Sequence, residues 1–210
     1  MPETLEAIKE QEQLVEIVDE TPKMKLCIVA AIGENRELGK DNHLLWHLAE
    51  DMRFFKEVTM RHYVIMGRKS FESIPAKYRP LPDRVNVIIS RDPDYMVEEC
   101  YTCTSLEEGM RLAEENGEQR AFLIGGGQIY KLAMDADMVD EMYITHVHGS
   151  FPDAQVYFPE FDETQWRKTA VKSMVADLQN QFSFDIYLYE KLRPELNHQL
   201  DGTSEGQIPN

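Results

Sequence analysis

Apolar and polar positions along this chain fall into blocks of strand and helix length. Leu26-Cys27-Ile28-Val29-Ala30-Ala31-Ile32 is a continuous apolar run, the pattern of a strand buried on both faces. Tyr63-Val64-Ile65-Met66, closed by Gly67, then Val85 to Ser90 and Ala121 to Ile124 repeat that pattern. Between these runs, Leu48 to Met60 predicts a helix with Met52, Phe55 and Thr59 on one side. Ser105 can cap another, with Glu107 and Glu108 in its first turn and Gly117 just past its end,. Gln128 to Met134 predicts a third, short helix. Met142 to His148 and Phe182 to Tyr189 then follow as strands with no helix between them, which predicts an antiparallel pair,. No internal repeat is visible. The fold class is α/β: a mixed, mostly parallel central sheet with an antiparallel C-terminal edge and flanking helices.

The two ends read differently. Residues 1–23 hold seven acids against two lysines, with Leu5, Ile8, Val15 and Val18 at loosely helical spacing before Thr21-Pro22. Two readings stand for this extension: a solvated leader, or an amphipathic helix that docks on the body or on a partner. Residues 193–210 carry Pro, Gly, Ser, Asn and Gln without periodicity and read as a disordered tail,. The stretch 24–192 is left as one domain.

Composition narrows the function classes. The 210 residues suffice for a real core without staples,. Thirty-eight Asp and Glu face 22 Lys and Arg, a formal net charge of −16, which argues against a general binder of nucleic acid or anionic membrane. An anionic ligand therefore needs cations gathered locally. No apolar run approaches a membrane span, and the acidic start lacks the features of a signal peptide. The three cysteines, Cys27, Cys100 and Cys103, form no disulfide framework,. A reduced, cytoplasmic protein is expected.

Three features carry chemistry. Ile124-Gly125-Gly126-Gly127-Gln128-Ile129-Tyr130 lies at a strand-to-helix turn. Its glycines allow close backbone approach, and the helix start offers N–H groups to a phosphate. It is not the G-x-G-x-x-G fingerprint, so an ordinary nucleotide-fold dehydrogenase is disfavoured. Met66-Gly67-Arg68-Lys69-Ser70 and Ser90-Arg91 add hydroxyls and cations at two further strand ends,. Two anion sites point to one ligand with two phosphate groups, such as a pyrophosphate and a ribose 2′-phosphate. Finally, Asp51 and Phe55 stand i, i+4 on one helix face,. A carboxylate beside an aromatic ring suits a flat, protonatable heterocycle.

Over residues 24 to about 191 the chain resembles the dihydrofolate reductase family. The resemblance is carried by Ala30-Ala31-Ile32, Leu38-Gly39 with Asn42, Leu44-Leu45-Trp46-His47-Leu48 and Asp51-Met52-Arg53-Phe54-Phe55-Lys56. It continues through Val64 to Ile74, Arg79-Pro80-Leu81-Pro82, the triple-glycine turn and Tyr143-Ile144-Thr145-His146. What it implies is reduction of 7,8-dihydrofolate to tetrahydrofolate by NADPH, in one-carbon and thymidylate metabolism. Asp51 would hold the 2-amino and N3 side of the pterin, supported by Thr145, with Trp46 keeping an ordered water. Val29, Ala31, Met52, Phe55, Ile74, Leu81 and Ile124 would wall the substrate, with Arg84 on the α-carboxylate of its glutamate and Arg79 near that tail. Ala31 and the segment Glu37 to His43, including Leu38, Gly39 and Asn42, would lie against nicotinamide and ribose. Arg68, Lys69, Ser90 and Arg91 would take the 2′-phosphate. Gly67, Ser70 and the turn Gly125-Gly126-Gly127-Gln128-Ile129-Tyr130 would hold the pyrophosphate side, with a cis Gly125–Gly126 bond. Residues 62–136 would form an adenosine-binding lobe, and Gly33 to Leu48 a lid. The implied enzyme is a monomer with no metal, nucleic-acid or membrane partner.

Leu45 and Ala49 stand where the family has prolines, which loosens the lid region. The loop Asp153 to Pro159 is longer than the family form, and no lid-contacting acid is assigned to it. Cys100-Tyr101-Thr102-Cys103 lacks a second ligand pair, His43 and His47 lack the Glu of H-E-x-x-H, and His146 and His148 read as surface or packed residues,. Two rival functions remain at this point: a reductase of another pterin- or pyrimidine-like ring on the same fold, and a non-catalytic nucleotide-binding scaffold.

Overall fold

The computed structural model describes residues 23–193. The readings for the acidic extension and for the tail therefore lie outside the described residues. An eight-stranded sheet runs in the order β10-β11-β8-β1-β7-β4-β5-β6. Its members are β1 (Lys25–Ile32), β4 (Tyr63–Gly67), β5 (Val85–Ile89), β6 (Tyr101–Cys103), β7 (Arg120–Leu123), β8 (Glu141–Val147), β10 (Trp166–Met174) and β11 (Phe184–Lys191). From β8 to β6 every pairing is parallel. β11 joins β8, and β10 joins β11, antiparallel.

The apolar run of β1 supplies both faces of this sheet, as a central parallel strand must. Leu26, Ile28, Ala30 and Ile32 enter one core with residues of helices α3 (Leu106–Glu115) and α4 (Gly127–Asp135). Cys27 and Val29 point the other way, into a cluster that includes Phe71 of helix α2 (Arg68–Ser73) and Phe55 and Val58 of helix α1 (Ala49–Thr59). A third cluster on the α1 side gathers Trp46, Leu48, Val147, Phe184 and Ile186. The expected class holds, with helices on both faces.

Two elements depart from the sequence-based expectation. β10 lies between β8 and β11 in the chain but at the outer edge of the sheet, so the antiparallel end has three strands. A second, small sheet, β3-β2-β9, forms from β2 (Glu37–Lys40), β3 (His43–Leu44) and β9 (Val156–Tyr157). β2 and β3 meet at Asp41 and Asn42, both with positive φ (50° and 60°), in the two-residue hairpin that such conformations favour,. Among the described residues no helix is long and apolar enough to cross a membrane.

Candidate active site

The site sits at the carboxyl ends of β1, β4, β5 and β7, where open α/β sheets place their ligands. Asp51 is the third residue of α1. Its Oδ1 accepts the Thr145 hydroxyl proton at 2.6 Å. Thr145 is buried on β8, opposite Ala31 of β1. Burial pushes the Asp51 carboxyl above its usual range, and the Thr145 hydrogen bond offsets part of that rise,. Next to it Val29 and Leu81 are buried in one cluster, against which Phe55, Ile74 and Ile124 pack while partly buried. Met52 remains 44% exposed on the same helix. Apolar side chains from α1, β1, the end of β7 and the turn after α2 therefore converge in one cluster.

At the rim, the Arg84 guanidinium lies 5.9 Å from the Phe55 ring centroid. It donates to Pro82 O at 2.9 Å and to Thr59 Oγ1 at 3.3 Å, which aims it without neutralising it. Arg79 is tied down by its bond to Glu72 O at 2.9 Å and stands over Phe71. Trp46 is buried, with its ring 4.9 Å from that of Phe151.

The second half of the site lies across β1. The ends of β4 and β5 are neighbours, Gly67 opposite Ile89, so Arg68, Lys69 and Ser70 begin α2 beside Ser90 and Arg91. Lys69 and Arg91 are exposed, and neither forms an ion pair among the described residues. Arg68 is already engaged, by Glu72 at 3.8 Å, Asp92 at 3.6 Å and the Tyr95 ring. The Gly125–Gly126 bond is cis. A Cβ on Gly126 would fall 2.8 Å from Ser70 Oγ, so only glycine lets that hydroxyl meet the turn,. The turn thus keeps a close approach between its backbone and the start of α2.

The far side of the turn is rooted in the core. Tyr130 is 3% exposed, and its hydroxyl donates to Val29 O at 2.9 Å; its ring packs in the core, with the hydroxyl end bordering Gly125, where a Cβ would lie 3.3 Å from that oxygen. The Ile129 side chain is also buried, and the N–H groups of Ile129 and Tyr130 both donate to Gly126 O. This leaves the first N–H groups of α4, those of Gly127 and Gln128, outside the helical ladder. The space beside Gly127 is filled by Val156 and Tyr157 of β9, with Leu38 close by. Gly39 is required by the hairpin, since a Cβ there would meet His43 O at 2.9 Å. Asn42 is exposed at its turn.

Glu37 ties the lid segment to its neighbours: it is 1% exposed and accepts N–H groups from Asn35 (2.7 Å), the Asn35 side chain (3.0 Å) and Phe151 (2.9 Å). Burial alone would raise its carboxyl, but these donors outweigh it and hold the group below its usual range,. A Cβ on Gly33 would strike this carboxylate at 2.6 Å. The loop that received no acid does bring one to the lid: Asp153 pairs with Lys40 at 3.6 Å. Gln155 Oε1 also accepts the Asp41 N–H, and the Gln155 N–H donates to Gly39 O. Nothing in the local sequence marked these partners, because each comes from more than a hundred residues away.

The remaining sequence lures stay bland. Cys100 and Cys103 are free, and Cys103 is buried. His146 packs on Tyr187 and meets the Tyr189 hydroxyl at 2.9 Å, while His148 pairs with Ser183 and Asp185.

A family model described as dihydrofolate reductase matches residues 25–191. The chain is 36% identical over 166 residues to the dihydrofolate reductase of Bacillus subtilis (strain 168), covering 79% of this chain and 94% of that protein. It is 42% identical over 145 residues to that of Neisseria gonorrhoeae, covering 69% and 85%. Among solved structures it is similar to dihydrofolate reductase from Enterococcus faecalis complexed with NADP(H) and RAB-propyl, with a TM-score of 0.72 and 32% identity over 80% of this chain and 97% of that one. On sequence, fold and arrangement of the site together, the chain belongs to the dihydrofolate reductase family.

Proposed function

We propose that Asp51 holds the pterin of 7,8-dihydrofolate while the chain reduces it to tetrahydrofolate with NADPH. One observation carries this assignment: a carboxylate gripped by Thr145 at 2.6 Å lies against a mostly apolar wall and across β1 from two exposed cations on adjacent strand ends. When bound, NADPH supplies the hydride that reaches C6, and the protein contributes placement and electrostatics.

Asp51 accepts from the 2-amino and N3 side of the ring and raises the proton affinity of N5, with water as the donor. Val29, Ala31, Met52, Phe55, Ile74, Leu81 and Ile124 exclude water around the ring. Arg84, and Arg79 beside it, face the glutamate end. Residues 62–136 form the adenosine side: Lys69, Ser90 and Arg91 fit the 2′-phosphate, with Arg68 shared with Glu72 and Asp92. Gly67, Ser70 and the Gly126-Gly127-Gln128 backbone fit the pyrophosphate, on the strength of the Gly126 cradle,. The β2–β3 hairpin with Leu38, Gly39 and Asn42 acts as the lid, and Trp46 supports the water near Asp51.

Asp51 and Arg84 together fit a pterin with a glutamate tail better than another ring, and the Thr145-gripped acid beside intact cofactor turns argues against a non-catalytic nucleotide-binding scaffold. We further assign the chain as a cytoplasmic monomer without nucleic-acid or membrane partners. The test is loss of NADPH absorbance on mixing with dihydrofolate, stopped by an antifolate. No turnover with dihydrofolate, or turnover indifferent to Asp51→Asn, would overturn the assignment.

A further inference from the structure

Helix α1 starts in a way that its own sequence leaves unsatisfied. Its N-cap position is Leu48, extended and without a side-chain acceptor, while the first N–H groups of a helix have no partner within it. These groups are met by the loop between β10 and β11. Gln179 O accepts the Ala49 N–H at 3.1 Å, and Asn180 Oδ1 accepts the Glu50 N–H at 3.0 Å. Asn180 is only 3% exposed and faces Leu48 in an isolated bridge. Its amide is keyed in one orientation. Nδ2 donates to Asp177 Oδ1 at 2.9 Å, and the N–H groups of Gln179 and Asn180 donate to the same oxygen at 2.7 Å each. The oxygen end is thereby turned toward the helix.

We infer that Asn180 is a positioning residue for Asp51, supplying from a distant loop the cap that α1 lacks. This rests on the reading of Asp51 as the acid that holds the pterin. Asp51 directly follows Glu50, so the backbone held by Asn180 is the backbone that carries the carboxylate. The loop continues into β11, whose Ile186 is paired with Thr145 on β8. One hairpin thus sets the helix start from one side and the residue gripping the Asp51 carboxylate from the other. His47 and Gln181 exchange two further bonds alongside, at 2.8 and 3.1 Å. The charged groups at this junction are Glu50 and Arg53 on α1, Lys172 of β10 on Glu50 at 3.3 Å, and Asp177 in the loop. Only burial and Thr145 act on the Asp51 carboxyl itself.

Without the Asn180 oxygen the first turn of α1 loosens and Asp51 gains water, which undoes the burial that raises its carboxyl. In the full chain, Asn180→Ala should raise the KM for dihydrofolate roughly two- to thirtyfold, the range of a lost helix cap. The KM for NADPH should stay put, and the pH at which turnover falls on the alkaline side should move down. Asn180→Ser should move both in the same direction by less, and Asn180→Asp combined with Asp177→Asn should restore the dihydrofolate KM. Ser105→Ala removes the cap of α3, where Ser105 Oγ accepts the Glu108 N–H at 3.2 Å. It should lower the Tm while leaving the KM and the pH profile unmoved. Asn180→Ala and Asn180→Ser at wild-type KM and pH profile, or Ser105→Ala producing the same shifts, would overturn the inference alone. A wild-type chain without dihydrofolate turnover would overturn the reading of the site and this inference with it.

Discussion

Replacing Asp51 by asparagine removes the negative charge of the site while keeping the oxygen that the Thr145 hydroxyl meets at 2.6 Å. The helix, the apolar wall and the adenosine side should be undisturbed. What is lost is the charge in two contacts to the pterin, each worth about 1.5–3 kcal/mol when one partner is ionised. Together these amount to about 3–6 kcal/mol, or roughly 10²–10⁴ in kcat/KM at neutral pH. The assay follows NADPH absorbance with dihydrofolate across a pH series, with a separate fluorescence titration of NADPH. Turnover should fall by that factor and recover in part toward acid, where solution protonates the substrate. NADPH affinity should not change. Stability should move in the opposite direction. Because the folded protein raises the Asp51 carboxyl above its ordinary 3.8, the proton-bound form favours folding. That contribution is present below the ordinary value and lost as pH rises through the folded one. Asp51→Asn should therefore melt higher than wild type at neutral pH, and the gap should close below about pH 4,. Loss of less than about tenfold in kcat/KM, or NADPH affinity falling in parallel, would refute the reasoning.

Lys69→Ala with Arg91→Ala should weaken NADPH by about tenfold per cation while leaving NADH almost untouched; equal losses in a side-by-side titration would remove the 2′-phosphate assignment. Tyr130→Phe leaves Val29 O without its donor and should lower stability by about 1–3 kcal/mol in denaturant melts, with the NADPH KM unmoved,; a raised KM would show that the hydroxyl also sets the Gly125 turn beside it. Glu37→Gln should cost about 1–3 kcal/mol at neutral pH by breaking the clasp on Asn35 and Phe151,. The Glu37 carboxylate stabilises above its ordinary 4.5 and ceases to as pH falls through its depressed value, so the gap to wild type should narrow in acid,. A gap that widens there would contradict the sign.

The parallel half of the sheet was legible because its strands are buried on both faces and show it as unbroken apolar runs. β10 was not: most of its residues are exposed, with lysines and an arginine along Trp166–Met174, so the segment carries no periodic apolar signal. The small sheet escaped for another reason. β9 has two residues, both exposed, and gains its meaning only from β2, far back in the chain. In the site, Asp51 and the glycine turn could be read from spacing, since helix and turn place them locally. Glu37 reads in the sequence only as the start of the lid segment, and its burial goes with the Phe151 N–H it accepts, which no local pattern announces. Tyr130 serves two roles that helix phase alone shows only in part: with Ile129 and Ala133 it forms the buried face of α4, and its hydroxyl end borders Gly125 of the glycine turn.

The placement of β1 has a consequence for how this enzyme can change. Val29 packs with Leu81, Phe55 and Ile74, while its carbonyl is anchored by a tyrosine rooted in the glycine-turn helix. Under the proposed assignment of the site, the two ligand compartments would share a single party wall. Mutations that evade a competitive drug by reshaping that wall would deform the dinucleotide compartment as well. Tolerated escape routes should instead lie on pendant positions such as Met52, Phe55 and Ile74, which can be altered without shifting the partition.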